Sequence, residues 1–453
     1  GQYSDLIKAY DSSGITGLGN KTVSITDNSI DASLLNTLNE KTTGIINASN
    51  VETLTGQYSD LIKAYDSSGI TGLGNKTVSI SDTSIDASLL NTLDEKTTGI
   101  INASNVETLT GQNSALIKTY DSSKITNLEN KTVSISDTSI DASLLNDLDE
   151  KTTGIINASS VRTLTGEYSA LSSVFNSFEI SDLSIEAINV NKGKASVAQV
   201  NTLGVLSTGI LTATVLEGDM TTLAEIAESG NELNVTITDK SVAAEALVKL
   251  DSKTSITVKV NSTSLTGNNI DQLTAYAAHK AGTIIGLDNT FDAASYLASH
   301  DDLLKAFGSD ALKAKSHFFK YGIIEERTID SFNELTYLAS YTDLLETFGS
   351  NTSSAVTHYI NHGYRENRAV DKFDELGYVA SYPDLITAIG ADVSAAANHY
   401  INFGFSEGRS ITFDAASYLN AEANADLRTA FGSDLEEAKQ HYILFGFKES
   451  RTF

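Results

Sequence analysis

The sequence predicts a repeat protein built in two styles: an N-terminal parallel β/α solenoid, with a strand and a short helix in each coil, followed by α-helical tandem repeats. Three observations predict it. Residues 1–55 recur as 56–110 with only Thr26, Asn28 and Asn39 replaced by Ser81, Thr83 and Asp94, and recur more loosely as 111–165. Within each copy, short alternating runs lead into amphipathic ones. From Phe291 a second period of 40–41 residues takes over, restarting at Phe332, Phe373 and Phe413.

In the first copy Val23 and Ile25 alternate as a half-buried strand does, and Leu34, Leu35 and Leu38 then stripe a helix on DASLLNTLNE. The second coil repeats the scheme. IINAS reads as a strand, and Tyr58, Leu61, Ile62 and Tyr65 follow at i, i+3, i+4 and i+7. Gly44 and Gly69 come after the helices, where left-handed C-caps are expected. A fourth copy opens at Gly166, where ISDLSIEA around Asp182 and Glu186 matches ISDTSIDA around Asp137 and Asp141 but arrives early. The missing stretch matches DSSKITNLEN, which reads as an optional loop. TATVL, LNVTITD, ITVKV and TII continue the rhythm at intervals of roughly 20–26 residues, one solenoid turn each. No coil can bury its stripe alone, so coils must stack with their strands parallel. The single Pro in the chain suits continuous ladders.

The divisions expected are three near-identical repeats at 1–165, divergent coils at 166–290 and four helical-pair repeats at 291–453. In the first helix of a pair, Ser299 to Asp302 and Ser340 to Asp343 have capping-box spacing, and Pro383 sits in a first turn. The second helix carries the stripe Ala314, His317, Phe318, Tyr321, echoed by Ala355, His358, Tyr359, His362, by Ala396, His399, Tyr400, Phe403 and by Ala438, His441, Tyr442, Phe445. Gly322, Gly363, Gly404 and Gly446 follow as expected helix stops. Phe453 is the Phe that would open a fifth unit, and GQYSDLIKAY is not a leader, so a longer parent protein is expected.

Asp plus Glu number 58 against 31 Lys plus Arg, a formal charge of −27, which disfavours nucleic acid and anionic lipid as partners and leaves room for cations. Without Cys there is neither a disulfide framework nor a thiolate site. No run reaches the ~18–20 apolar residues of a membrane span, so no membrane insertion is expected.

YLASYTDLLETFG with HYINHGYRENR, and YVASYPDLITAIG with HYINFGFSEGR, resemble repeats of very large secreted bacterial cell-surface proteins of the haemolysin-type and surface-layer-like groups, cyanobacterial or proteobacterial. The likeness covers 291–453. Residues 1–290 resemble, more weakly, the Thr, Ser, Asn and Asp-rich arrays of such proteins. The resemblance implies an exported, extracellular protein of the bacterial cell surface, without a defined chemistry. The glycine-rich calcium nonapeptide of the haemolysin type is absent.

Two sets of residues invite a functional reading. The first is His317, His358, His399 and His441, once per unit, each followed by Glu and by Arg327, Arg368, Arg409 or Arg451. Catalysis needs one constellation, whereas an architecture needs the same bond in every unit, so these read as structural struts. The second is Asp27 and Asp31, Asp82 and Asp86, Asp137 and Asp141. Stacked copies would align them into carboxylate ladders, which a calcium ion between them would relieve. The competing reading makes Asp27 a turn cap and Asp31 a helix N-cap. Asn47, Asn102 and Asn157 head Asn-Ala-Ser triplets that read as stacked turns rather than glycosylation sites. No hydrolase, P-loop, metalloprotease or dinucleotide signature occurs. The expected function is an extracellular structural protein that self-assembles as a layer, sheath or filament, with surface polysaccharide as a further partner. An adhesin stalk is the alternative, and a glycan-active solenoid enzyme a third reading.

Overall fold

The computed structural model describes residues 1–227 and 229–452, so Phe453, the expected opening of a fifth unit, lies outside the described residues. Two compact units form. The first holds Gly1–Asp239 with Lys249–Val260, and the second holds Lys240–Val248 with the chain from Asn261 on.

In the first unit the strands pair in parallel. Ser29–Asp31 lies against Thr53–Gly56, followed in order by Thr77–Ile80, Ile101–Asn102 and Ile125–Thr126. Ile30, Leu54, Val78, Ile101 and Ile125 stack in register, and all are buried. Each such side chain contributes about 1.5–3 kcal/mol on leaving water. The step from Ile30 to Leu54 and on to Val78 is 24 residues, and two such steps fall seven short of the 55-residue repeat. A sheet therefore runs through five strands and stops. The next begins at Ser84–Asp86 and ends at Ile180–Ser181, and a third runs from Ser139–Asp141 to Glu232–Asn234. Equivalent residues of successive copies do not stack on one another.

The helices follow the amphipathic pattern with one shift. Ala32–Lys41 buries Ala32, Leu35, Asn36 and Leu38, while Leu34 stays exposed. Asn36 earns its buried place by donating Nδ2 to the Asp60 carbonyl of the next coil at 3.0 Å. Tyr58–Asp66 buries Leu61 and Ala64. Gly44 and Gly69 are not left-handed caps, because the helices before them end in extended backbone at Thr42 and Ser67. A Cβ on Gly44 would stand 2.2 Å from the Lys21 carbonyl oxygen. Glycine there marks a crossing of two backbones.

Two further readings are corrected. The stretch 67–76 is not an optional loop, since Ile70–Thr71 pairs with Ile46–Asn47 and both Ile70 and Leu73 are buried. The fourth copy keeps that strand as Ile180–Ser181. Asp182 (φ 58°) accordingly occupies the left-handed position held by Gly17, Gly72 and Asn127, and is not the equivalent of Asp137. Glu186, which the sequence match sets against the N-cap Asp141, opens no helix; its carboxylate lies 3.4 Å from Arg162.

In the second unit each repeat has three helical segments rather than a pair. The first repeat has Ala293–Ala298, Asp301–Phe307 and Ala311–His317, which runs on into a π-helical turn at Phe318–Gly322. The expected capping boxes do not form. Ser299 closes the first segment instead: its hydroxyl donates to the Ser295 carbonyl and accepts from the Ser331 amide at 2.8 Å, 32 residues on. Ser340 does the same with Thr336 and Lys372. Pro383 does open a segment, Pro383–Ala388. Phe373 and Phe413, which open their repeats, stack on Tyr400 and Tyr442 with ring centres 4.5 Å apart. Tyr296, Tyr337, Tyr378 and Tyr418 are fully buried between segments. Among the described residues no helix is long and apolar enough to cross a membrane.

Candidate functional site

The six aspartates are placed by backbone amides. Asp31, Asp86 and Asp141 are N-caps, each accepting from the amide of the serine two residues on at 2.8–3.0 Å. Asp27, Asp82 and Asp137 reach back one coil to accept from the amides of Tyr3, Tyr58 and Asn113 at 2.6–2.7 Å. Those three helices lack a cap bond of their own from Gln2, Gln57 or Gln112. A carboxylate from the following coil supplies it, where the helix N-terminus favours negative charge. The divergent coils keep the device: Glu217 accepts from Val197, and Asp239 from Met220.

The expected carboxylate ladder does not form, because stacking proceeds by 24 residues and not by 55. Asp31 lies beside Thr55, and the row continues through Ser79, Asn102 and Thr126. The row from Asp86 runs through Thr110 and Ser134 to Asn157. Asp31 and Asp86 thus each head a row of hydroxyls and amides, and the row from Asp141 passes through Thr165, Asn189 and Thr212 before it meets Glu232, so no carboxylate lies directly beside another. Asn47, Asn102 and Asn157 accept from the amides of Ser49, Ser104 and Ser159, which makes them turn residues. Among the described residues no group of three or more His, Asp or Glu is arranged to hold a metal ion.

The repeated histidines meet a partner that the sequence reading missed. Tyr296 hydroxyl and His317 Nδ1 are 3.1 Å apart, and the pairs Tyr337–His358, Tyr378–His399 and Tyr418–His441 stand at 2.9–3.0 Å. The glycine five residues beyond each His makes room for the hydroxyl. A Cβ on Gly363 would come 2.1 Å from Tyr337 Oη, and on Gly446 2.2 Å from Tyr418 Oη. These glycines are the last residues of the π turns, in the place expected of stops, but their backbone is not left-handed; the left-handed residue comes four positions on, at Glu326, Asn367, Gly408 and Ser450. Tyrosine, histidine and glycine thus form one packed unit. Burial pushes Tyr296, Tyr378 and Tyr418 up to about 12, so each hydroxyl keeps its proton. Burial, and then the nearby guanidinium, hold His317, His358 and His441 below the usual imidazole range.

The arginines form a clamp at the edge of this unit. Arg327 Nε donates to Glu325 at 2.7 Å and its Nη1 to Asp302 at 3.0 Å. Arg368 joins Glu366 and Asp343, Arg409 joins Glu407 and Asp384, and Arg451 joins Glu449 and Asp426. Arg368 and Arg409 also lie over the rings of Tyr341 and Tyr382 at 4.9 and 4.8 Å. Each clamp ties the end of the third segment to the start of the second. The tyrosines and aspartates recur in YLAS and DL as strictly as the histidines do, so the signal for them was present.

The fold defines a solenoid-like repeat protein, strand–helix coils followed by helical repeats. Comparison with protein-family models, with curated proteins and with solved structures gives no match to the chain.

Proposed function

We propose that the chain is an extracellular structural protein of a bacterial cell surface, non-enzymatic, which assembles with copies of itself into a layer, sheath or filament. One observation carries the reading. Every polar constellation that recurs, whether the inter-coil cap at Asp27, Asp82 and Asp137 or the Tyr–His pair and Arg clamp of each helical repeat, is closed by bonds within the protein. A repeat whose polar groups are spent on its neighbours extends the molecule without adding chemistry. The resemblance of 291–453 to repeats of large secreted surface proteins supports the location, and the acidic balance supports a solvated outer surface. Negative-stain microscopy of the purified chain over a concentration series is the test. Regular arrays or filaments are expected; single particles at every concentration would overturn self-assembly and favour a stalk.

A further inference from the structure

Among the positions at which the helical repeats differ, one lies beside the repeated His and faces outward. Four residues after the repeated His stand Tyr321, His362, Phe403 and Phe445. The helix places this side chain beside the His ring in each case, with ring centres 5.6 Å apart in all four repeats. Only the second repeat fills the position with another imidazole. An imidazole bound through nitrogen at about 2.0–2.1 Å puts its ring centre ~3.2 Å from a metal, so two such rings at a tetrahedral or wider angle stand ~5–6 Å apart. The backbone therefore holds His358 and His362 at chelating distance.

The surroundings suit a cation bound by neutral ligands. His358 Nδ1 is engaged by Tyr337 at 3.0 Å, which orients the ring and leaves Nε2 as the coordinating atom, the usual outer-sphere arrangement of a ligating histidine. His362 is exposed, so its ring can turn toward the same point. A cavity of about 310 Å³ opens beside the two rings, lined also by Asn351, Ser354, Thr357 and Asn361. No lining residue is charged. In the sibling repeats the equivalents include Asp310, Lys313 and Lys320, or Asp434, Glu436 and Glu437. The acidic residues nearest His358, Glu366 and Asp343, are already held by Arg368.

We propose that His358 and His362 form a binding site for a borderline divalent cation, Zn²⁺, Ni²⁺ or Cu²⁺, with water from the open cavity completing the coordination. Imidazole pairs select these ions over Ca²⁺ and Mg²⁺, which prefer oxygen. The site is specific to the second repeat and independent of self-assembly. Isothermal titration of the whole chain with ZnCl₂ and NiCl₂ at pH 7.5 tests it, against His362→Phe. Phe403 and Phe445 occupy this position in sibling repeats, so the variant retains the fold; His362→Gln serves as a second, polar replacement. One equivalent bound by the parent is expected to weaken at least tenfold in both variants and to persist in excess CaCl₂. Equal stoichiometry and affinity in parent and variants, or displacement by calcium, would overturn it.

Discussion

Replacing Gly404 with Ala tests the packed Tyr–His–Gly unit directly, because helix propensity and tertiary packing predict opposite signs. In an ordinary helix the change gains about 0.5–1 kcal/mol. Here the new methyl would lie 2.0 Å from Tyr378 Oη, 2.9 Å from its Cζ and 3.1 Å from Tyr400 Cδ2. Tyr378 is fully buried and cannot swing into solvent, so its ring must shift and release His399 Nδ1, now 2.9 Å away. Overpacking costs about 1–3 kcal/mol and the lost hydrogen bond about 1 kcal/mol, so Gly404→Ala should cost ~2–4 kcal/mol. A repeat array does not melt as one unit, so the appropriate assay is native-state hydrogen exchange in Glu375–Ala380 and Val393–His399. Protection there should fall about 30- to 1,000-fold, with the first repeat unaffected. Tyr378→Phe removes the nearest obstructing atom and the hydrogen bond to His399, though the ring carbon at 2.9 Å remains, so Gly404→Ala added to Tyr378→Phe should cost less than on the parent background. Unchanged or raised protection in Gly404→Ala, or simple additivity in the double variant, would refute the packing argument.

Two other outcomes follow from the same structure. Deleting 67–76 removes the buried Ile70 and Leu73 and the strand Ile70–Thr71, so a loss of at least ~3 kcal/mol and a broadened thermal transition are expected; a melt like the parent's would restore the optional-loop reading. Acidification should weaken the helical repeats. With His317, His358 and His441 held low, the unfolded chain takes up protons near its ordinary imidazole value of about 6.5 that the folded chain refuses, so stability present above that pH is lost as pH falls through the folded values. Asp330 and Glu334, whose carboxyls are raised by partial desolvation, push the other way, so the comparison is between parent and His317→Gln melts from pH 7.5 to 5. The variant should lose less than the parent; an equal loss would remove the imidazole from the account.

The two-part architecture was legible because it is written in what recurs. Alternation at Val23 and Ile25, the stripe through Leu35 and Leu38, and the Phe that opens each helical unit all lie within a single repeat. Stacking register does not. Whether Asp31 faces Asp86 or Thr55 depends on how many residues close one circuit, a tertiary quantity that a 55-residue identity conceals. The segment 67–76 misled for a related reason: a two-residue strand such as Ile70–Thr71 has no local periodicity, and a copy with residues missing can be aligned in more than one way. At the candidate site the histidines were found and their tyrosines were not. Tyr296 is an aromatic core residue, apart from a hydroxyl that needs a partner once buried. The π turns lay beyond reach, since Gly322 at a helix end usually signals a stop. Only the Tyr296 hydroxyl beside it explains the glycine.

The mismatch between a 24-residue circuit and a 55-residue copy makes copy number an angular variable. Each copy added or removed changes the stack by two full circuits and a remainder of seven residues. Like a vernier, the remainder turns every later coil of the first unit about the stack by the same increment. The divergent coils after Gly166 would therefore face a new direction with each copy added, and two variants with identical surfaces would present them at different bearings. A label pair on Asn50 and Lys194, read by distance measurements in the parent and in a chain lacking 56–110, would register the turn along with the shortening.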